Sequence, residues 1–176
     1  MSVKSFKTSG VGVDLAPKGL VLINTTSFSA VASQNITSVF SATYDFYKIV
    51  YYASVSTTAR VQMRLLNNTT PVTTSTYIRS QVSTNGSSAT QDSGSATSWE
   101  MGGYDSATVS VSGDFTIVNV FQAEPTLISG IHGSTSARHL SISHNRQTDN
   151  TSFNGYQLIA TAGTISGYVQ TFGFNK

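Results

Sequence analysis

Residues 39–52 read VFSATYDFYKIVYY. No other stretch of the chain packs aromatic and β-branched residues so densely. Such side chains fit a pleated, half-buried surface, so the stretch predicts a long central strand. Ser41, Ala42 and Thr43 are small and let the chain bend before the bulky run begins. Alternation puts Tyr47, Ile49 and Tyr51 on one face, and Phe46, Lys48, Val50 and Tyr52 on the other. Lys48 marks the second face as the outward one. A strand rich on both faces packs the core with one and meets a sheet edge, a loop or a sister subunit with the other.

Strand signals continue on either side. Residues 20–23 form a short apolar run, and 34–40 place apolar residues near a turn. Over 59–65, Val61, Met63 and Leu65 alternate with Arg60, Gln62 and Arg64, one side core and the other wet. Asn67-Asn68-Thr69-Thr70-Pro71 is a turn signal. Residues 77–82 predict another strand. Residues 83–98, rich in Ser, Gly and Thr with almost no apolar content, predict a long exposed loop. A second strong strand region spans 108–121, with Gly113-Asp114 expected as a bulge or bend. Further strands are expected over 127–131, 138–144, 153–159 and 164–174. About eight to ten short strands with Gly-rich turns and no amphipathic helix predict a sandwich or barrel. The fold expected is all-β, an antiparallel two-sheet β-sandwich, jelly-roll-like, with a closed up-and-down barrel as the alternative. Residues 1–18 are expected to be an N-terminal arm, either a frayed terminus or a segment that docks on a partner, and 19–176 the sandwich domain.

Composition narrows the function. Charged residues are 10% of the chain, against ~25% in typical soluble domains. Ser and Thr supply roughly three residues in ten, so hydroxyls and amides build the polar surface. The net charge of +2 is scattered, and the densest basic cluster is Arg138, His139, His144 and Arg146; a nucleic-acid partner would need far more charge on one face. There is no cysteine, which removes disulfides, zinc fingers and thiol catalysis. No apolar run reaches the ~18 residues that a membrane-spanning helix needs, so no membrane insertion is expected. The first ten residues lack the apolar middle of a signal peptide.

Signatures of chemistry are sparse. The eight acidic residues show no local pairing of the kind a glycosidase uses. His139 and His144 fall on opposite faces of a strand, and with His132 they are expected at the surface or an interface, not at a metal. No Gly-x-Ser-x-Gly elbow, phosphate loop or calcium loop is present. The expectation is a non-enzymatic protein with no cofactor and no metal site. Trp99 and Tyr104, beside the stretch expected as a loop, are the ligand-binding candidates, since an aromatic ring can stack on a sugar face; the alternative is that they are core or subunit-interface aromatics.

The stretch 19–52 resembles the opening of a family of tailed-bacteriophage virion proteins. The resemblance rests on Phe40-Ser41-Ala42-Thr43-Tyr44-Asp45-Phe46-Tyr47, a Phe-Ser-x-Thr-Tyr-Asp-x-Tyr element between two apolar strands. It is carried further by the alternating strand ending at Leu65. At the C-terminus, Phe153-Asn154-Gly155-Tyr156, Gly163-Thr164-Ile165-Ser166-Gly167 and Phe172-Gly173-Phe174-Asn175 match as well. The resemblance implies a virion structural protein on the particle surface, a β-sandwich assembling as a homo-oligomer, frequently a homotrimer. It carries no catalytic residue across. With residues 1–18 ahead of the domain and no shaft, a capsid decoration protein or a short tail or fibre component is expected. Such a protein is made in the host cytoplasm without a signal peptide. Its partners would be copies of itself and other virion proteins, reached through the arm. The alternative is a receptor-binding or carbohydrate-binding tail fibre module that recognises host surface polysaccharide.

Overall fold

The computed structural model describes residues 19–85, 88–102, 109–135 and 139–174; the arm expected over 1–18, Tyr104 and Arg138 lie outside them. Thirteen strands follow in chain order: β1 (Leu20–Val31), β2 (Ser33–Ile36), β3 (Phe46–Val55), β4 (Val61–Asn67), β5 (Thr70–Pro71), β6 (Tyr77–Asn85), β7 (Ser88–Ala96), β8 (Trp99–Gly102), β9 (Ser110–Val118), β10 (Thr126–Ser134), β11 (Leu140–Gln147), β12 (Gly155–Ala160) and β13 (Ile165–Phe174). No helix occurs among the described residues. The strands form two antiparallel sheets packed as a β-sandwich. One has eight strands in the order β1-β13-β3-β9-β10-β11-β6-β7, the other five, β2-β12-β4-β5 with β8 also paired to β4. The chain crosses between the sheets repeatedly, so neighbours within a sheet come from distant sequence.

β3 lies third in the large sheet and carries the core, as its composition predicts. Tyr47, Ile49 and Tyr51 are buried, and Phe46 and Tyr52 are exposed on the other face. Val61, Met63 and Leu65 of β4 are buried on the small sheet, with Tyr156 and Leu158 of β12. Trp99 and Met101 of β8 complete that layer. Burying each large side chain contributes about 1.5–3 kcal/mol. Phe40 is wedged between Tyr47 and Tyr156, with ring centroids at 4.8 and 5.7 Å.

The sequence misplaces several boundaries, each for a physical reason. The central strand starts at Phe46, two residues after the bulky run begins at Tyr44, and continues to Val55. Val39 and Phe40 donate their N–H groups to the Asn154 carbonyl. The Tyr47 hydroxyl accepts from the Ser41 N–H and donates to the Ser41 carbonyl, both at 2.7 Å. One buried phenol therefore pins the corner in which the Phe-Ser-x-Thr-Tyr-Asp element lies. β1 runs for 12 residues, not four, because shifts of register between Leu22 and Asn24 and between Phe28 and Val31 let it follow β13 past its polar half. Gly113-Asp114 is no bulge: Tyr51↔Gly113 and Val50↔Asp114 continue the ladder. Gly113 is required there because a Cβ would sit 2.6 Å from both Tyr51 and Phe115.

The largest departure concerns residues 83–98. The expected loop is a hairpin, β6 and β7 pairing residue by residue from Tyr77↔Ala96 to Asn85↔Ser88. β7 is a nearly apolar-free edge strand, so hydrophobic alternation gives no sign of it. Its ladder is backbone hydrogen bonding to β6, which any side chain permits.

Candidate functional site

The interior is apolar under β3 and polar under β6, β10 and β11. β11 is inverted relative to its hydrophobic residues. Ser141, Ser143, Asn145 and Gln147 are buried, and Leu140 and Ile142 face outward. The pairing of β11 with β10 and β6 fixes its register, and a slip of one residue would exchange the faces. β6 presents Tyr77, Arg79, Gln81 and Ser83 to the same side. β10 adds His132, and His139 follows at the start of β11.

These strands bound a cavity of about 340 Å³ beneath the β6–β7 hairpin, lined by Arg60, Gln81, Ser83, Thr90, Asp92 and His139 together with Gln91. A chain of charges runs along its wall. Arg60 Nη1 lies 2.9 Å from Glu100 Oε2, Arg79 Nη1 lies 3.7 Å from the same oxygen, and Arg79 Nη1 lies 3.2 Å from an Asp92 oxygen. Glu100 is 1% exposed. Burial pushes its carboxyl up from the ordinary value; Arg60 and then Arg79 pull it back, and Asp92 adds to the rise. The cluster ties the small sheet to the free end of the large one.

His132 is buried with its ring stacked on Phe115 at 5.9 Å and tilted against His139 at 5.9 Å. Burial, and then the neighbouring His139, lowers its pKa to about 4, so the ring is neutral at physiological pH. Ser83, Ser141 and His139 form a hydrogen-bonded chain leading inward from the cavity. Ser141 is fully buried, which bars its hydroxyl from acting as a nucleophile on an external substrate. Glu100 is equally withdrawn, so the arrangement presents no open carboxylate pair.

More polar atoms face this region than the chain itself pairs. Arg79 Nε, Gln81 Oε1, Glu100 Oε1, Ser143 Oγ, Asn145 Nδ2 and both ring nitrogens of His132 are buried without a hydrogen-bond partner in the protein. Buried polar groups are normally satisfied, by ordered water or a ligand where the protein supplies nothing.

The residues singled out from the sequence fall elsewhere. Trp99 is fully buried, edge-to-face with Tyr77 at 5.1 Å, and its indole Nε1 donates to the Arg146 carbonyl at 3.4 Å. No ring face is left for a sugar, because both faces are spent on the core. Tyr104 lies outside the described residues. His144 and Arg146 face outward, whereas His132 and His139, expected at the surface, are interior. Among the described residues, no group of three or more His, Cys, Asp or Glu side chains is placed to hold a metal ion. The polar cavity was not anticipated. Its one visible sign is the alternation of 77-YIRSQVS-83 and 140-LSISHNRQ-147, in which either face can be the buried one.

A second feature lies on the opposite face of the large sheet. Among the described residues the large apolar side chains left exposed are ten, Leu20 and Leu22, Phe46 and Tyr52, Val82, Ile131, Leu140, Ile142, Tyr168 and Phe174, and every one is on this sheet. Ile131, Ile142 and Val82 are direct cross-strand partners in one row. Tyr52 stacks on Tyr168 at 6.2 Å, and Phe46 meets Phe174 at 6.5 Å. Lys48 and Asp114 pair at 2.8 Å in the middle of the face. No family model and no curated protein matches the chain.

Proposed function

We propose that the protein is a non-enzymatic bacteriophage virion structural protein on the particle surface, a capsid decoration protein or short tail component that assembles with copies of itself. The observation that carries this reading is the apolar outer face of the eight-stranded sheet. All ten large apolar side chains left exposed among the described residues lie on this one sheet, and exposed apolar residues gathered in this way mark interaction sites. The occupant that fits is a second copy. The centre of the face is neutral, its lysine already matched by Asp114, so like faces can meet without like-charge repulsion. The resemblance of the Phe-Ser-x-Thr-Tyr-Asp-x-Tyr corner and the C-terminal strands to phage virion proteins supplies the setting, and with it the homotrimer as the expected stoichiometry.

The experiment is light scattering on the purified protein, with a search for it in purified particles. A stable oligomer is expected. Ile142→Glu is expected to give a monomer with an unchanged melting temperature, since Ile142 is 58% exposed and substitution there costs the fold little. A wild-type monomer that is also absent from particles overturns the proposal.

The host-glycan alternative loses Trp99, which is core. What favours it is a different part of the chain, the polar cavity.

A further inference from the structure

From the cavity beneath the β6–β7 hairpin we infer a binding site for a neutral saccharide unit, held edge-on by hydrogen bonds. This is independent of the assembly reading, because the cavity lies on the inner side of the sheet.

The chemistry of the lining selects the ligand. The cavity, at about 340 Å³, sits at the lower end of the ~300–1,000 Å³ usual for ligand pockets, a size for a mono- or disaccharide. Among the described residues the charges of its Arg, Asp and Glu side chains are already matched. Arg60 is bonded to Glu100, and Asp92 to Arg79. An anion would need an uncompensated cation, and a cationic ligand an uncompensated carboxylate. An apolar ligand would strip water from hydroxyls and amides and return no hydrogen bond, which costs kcal/mol per group. A sugar ring, with hydroxyls that both donate and accept, answers the lining group by group.

Gln81 supplies the specific observation. It is 6% exposed, lines the cavity, and its Oε1 is without a hydrogen-bond partner in the protein. A buried amide oxygen of this kind accepts from a ligand hydroxyl. Asp92 offers further acceptors, and the Ser83 and Thr90 hydroxyls serve in either sense. Among the described residues no Trp, Tyr or Phe lines the cavity, so the recognition argued here rests on hydrogen bonds. β7 forms the outer wall as an edge strand, paired on one side only, which leaves the cavity an entrance along the hairpin.

The test uses the full chain, isotopically labelled, titrated with glucose, galactose, mannose and N-acetylglucosamine at millimolar concentrations, and with inorganic phosphate as the charged comparison. At least one sugar is expected to shift backbone resonances confined to Arg60 and its neighbours, β6, β7 and the start of β11, with phosphate shifting none of them. Thr90→Val and Gln81→Leu are each expected to weaken that sugar about tenfold, the loss of one buried hydrogen bond. Thr90 lies on the exposed edge strand, so its variant keeps the fold and decides the matter should Gln81→Leu fail to fold. Silence from all four sugars, shifts elsewhere in the chain, or unchanged affinity in Thr90→Val overturns the inference.

Discussion

Trp99→Ala is expected to lower the stability of the fold by about 4 kcal/mol, the upper range for emptying a fully buried aromatic site. The loss has three parts. The indole gives up its burial, its edge-to-face contact with Tyr77 at 5.1 Å, and the Nε1 hydrogen bond to the Arg146 carbonyl. Tyr77 is itself anchored, its hydroxyl accepting from the Leu65 N–H at 2.9 Å and donating to the Val72 carbonyl at 3.1 Å. It therefore cannot swing in to fill the cavity, and the site collapses poorly. Urea denaturation followed by circular dichroism measures the effect, and a loss under about 1 kcal/mol would show that the indole is not packed as described. Trp99 is the single tryptophan, so the native protein also carries its own reporter. Its emission is expected to be blue-shifted and unquenched by sugars. A ring used as a stacking platform would give the opposite result.

The second large effect is acid lability centred on His132. Its pKa is lowered from 6.5 to about 4 in the folded chain, by burial first and His139 second. Above pH 6.5 the folded and unfolded chains both hold the ring neutral, and its contribution is complete. Between pH 6.5 and about 4 the unfolded chain takes up a proton that the folded chain refuses, so stability falls as pH falls. Below that the loss saturates, at about 3 kcal/mol for a shift of this size. Glu100 acts with the opposite sign, because its carboxyl is pushed up and its protonation favours the folded chain. Comparing wild type with His132→Leu cancels Glu100 and isolates the imidazole. Unfolding free energies from urea denaturation at pH 7 and pH 4 are expected to converge in the variant by most of that ~3 kcal/mol. Identical pH dependence in the two proteins would remove His132 as the cause.

Both effects arise at residues whose environment the sequence does not disclose. Trp99 follows a stretch rich in Ser, Gly and Thr, and local composition leaves it either a platform beside a loop or a core or subunit-interface aromatic. In the fold that run is an edge strand, and Trp99 begins the next strand, closed over by Tyr77 and the Arg146 carbonyl from distant segments. His132 and His139 look like surface polar residues in a Gly/Ser-rich stretch. They are interior because β10 and β11 pair through Gly130↔Ser143 and Ile131↔Ile142, which turns the histidines and the serines inward together.

The strand content, the inward faces of β3 and β4 and the two-sheet architecture were written in the sequence itself. In β4 large apolar residues alternate with polar or charged ones, and in β3 Lys48 marks the outward face, so burial has a one-dimensional signature of period two. Only the tertiary structure decided the hairpin β6–β7, the inverted face of β11 and the cavity between them. Serine, threonine and glutamine carry no hydrophobic contrast, so a strand built from them has two equivalent faces until a neighbour fixes its register. That neighbour comes from far along the chain. The outer face of β3 stands between these cases. Its richness was legible in residues 39–52, but the apolar rows on β10, β11 and β13 that share its outer face, on either side of the polar outer row of β9, exist only once the sheet is assembled.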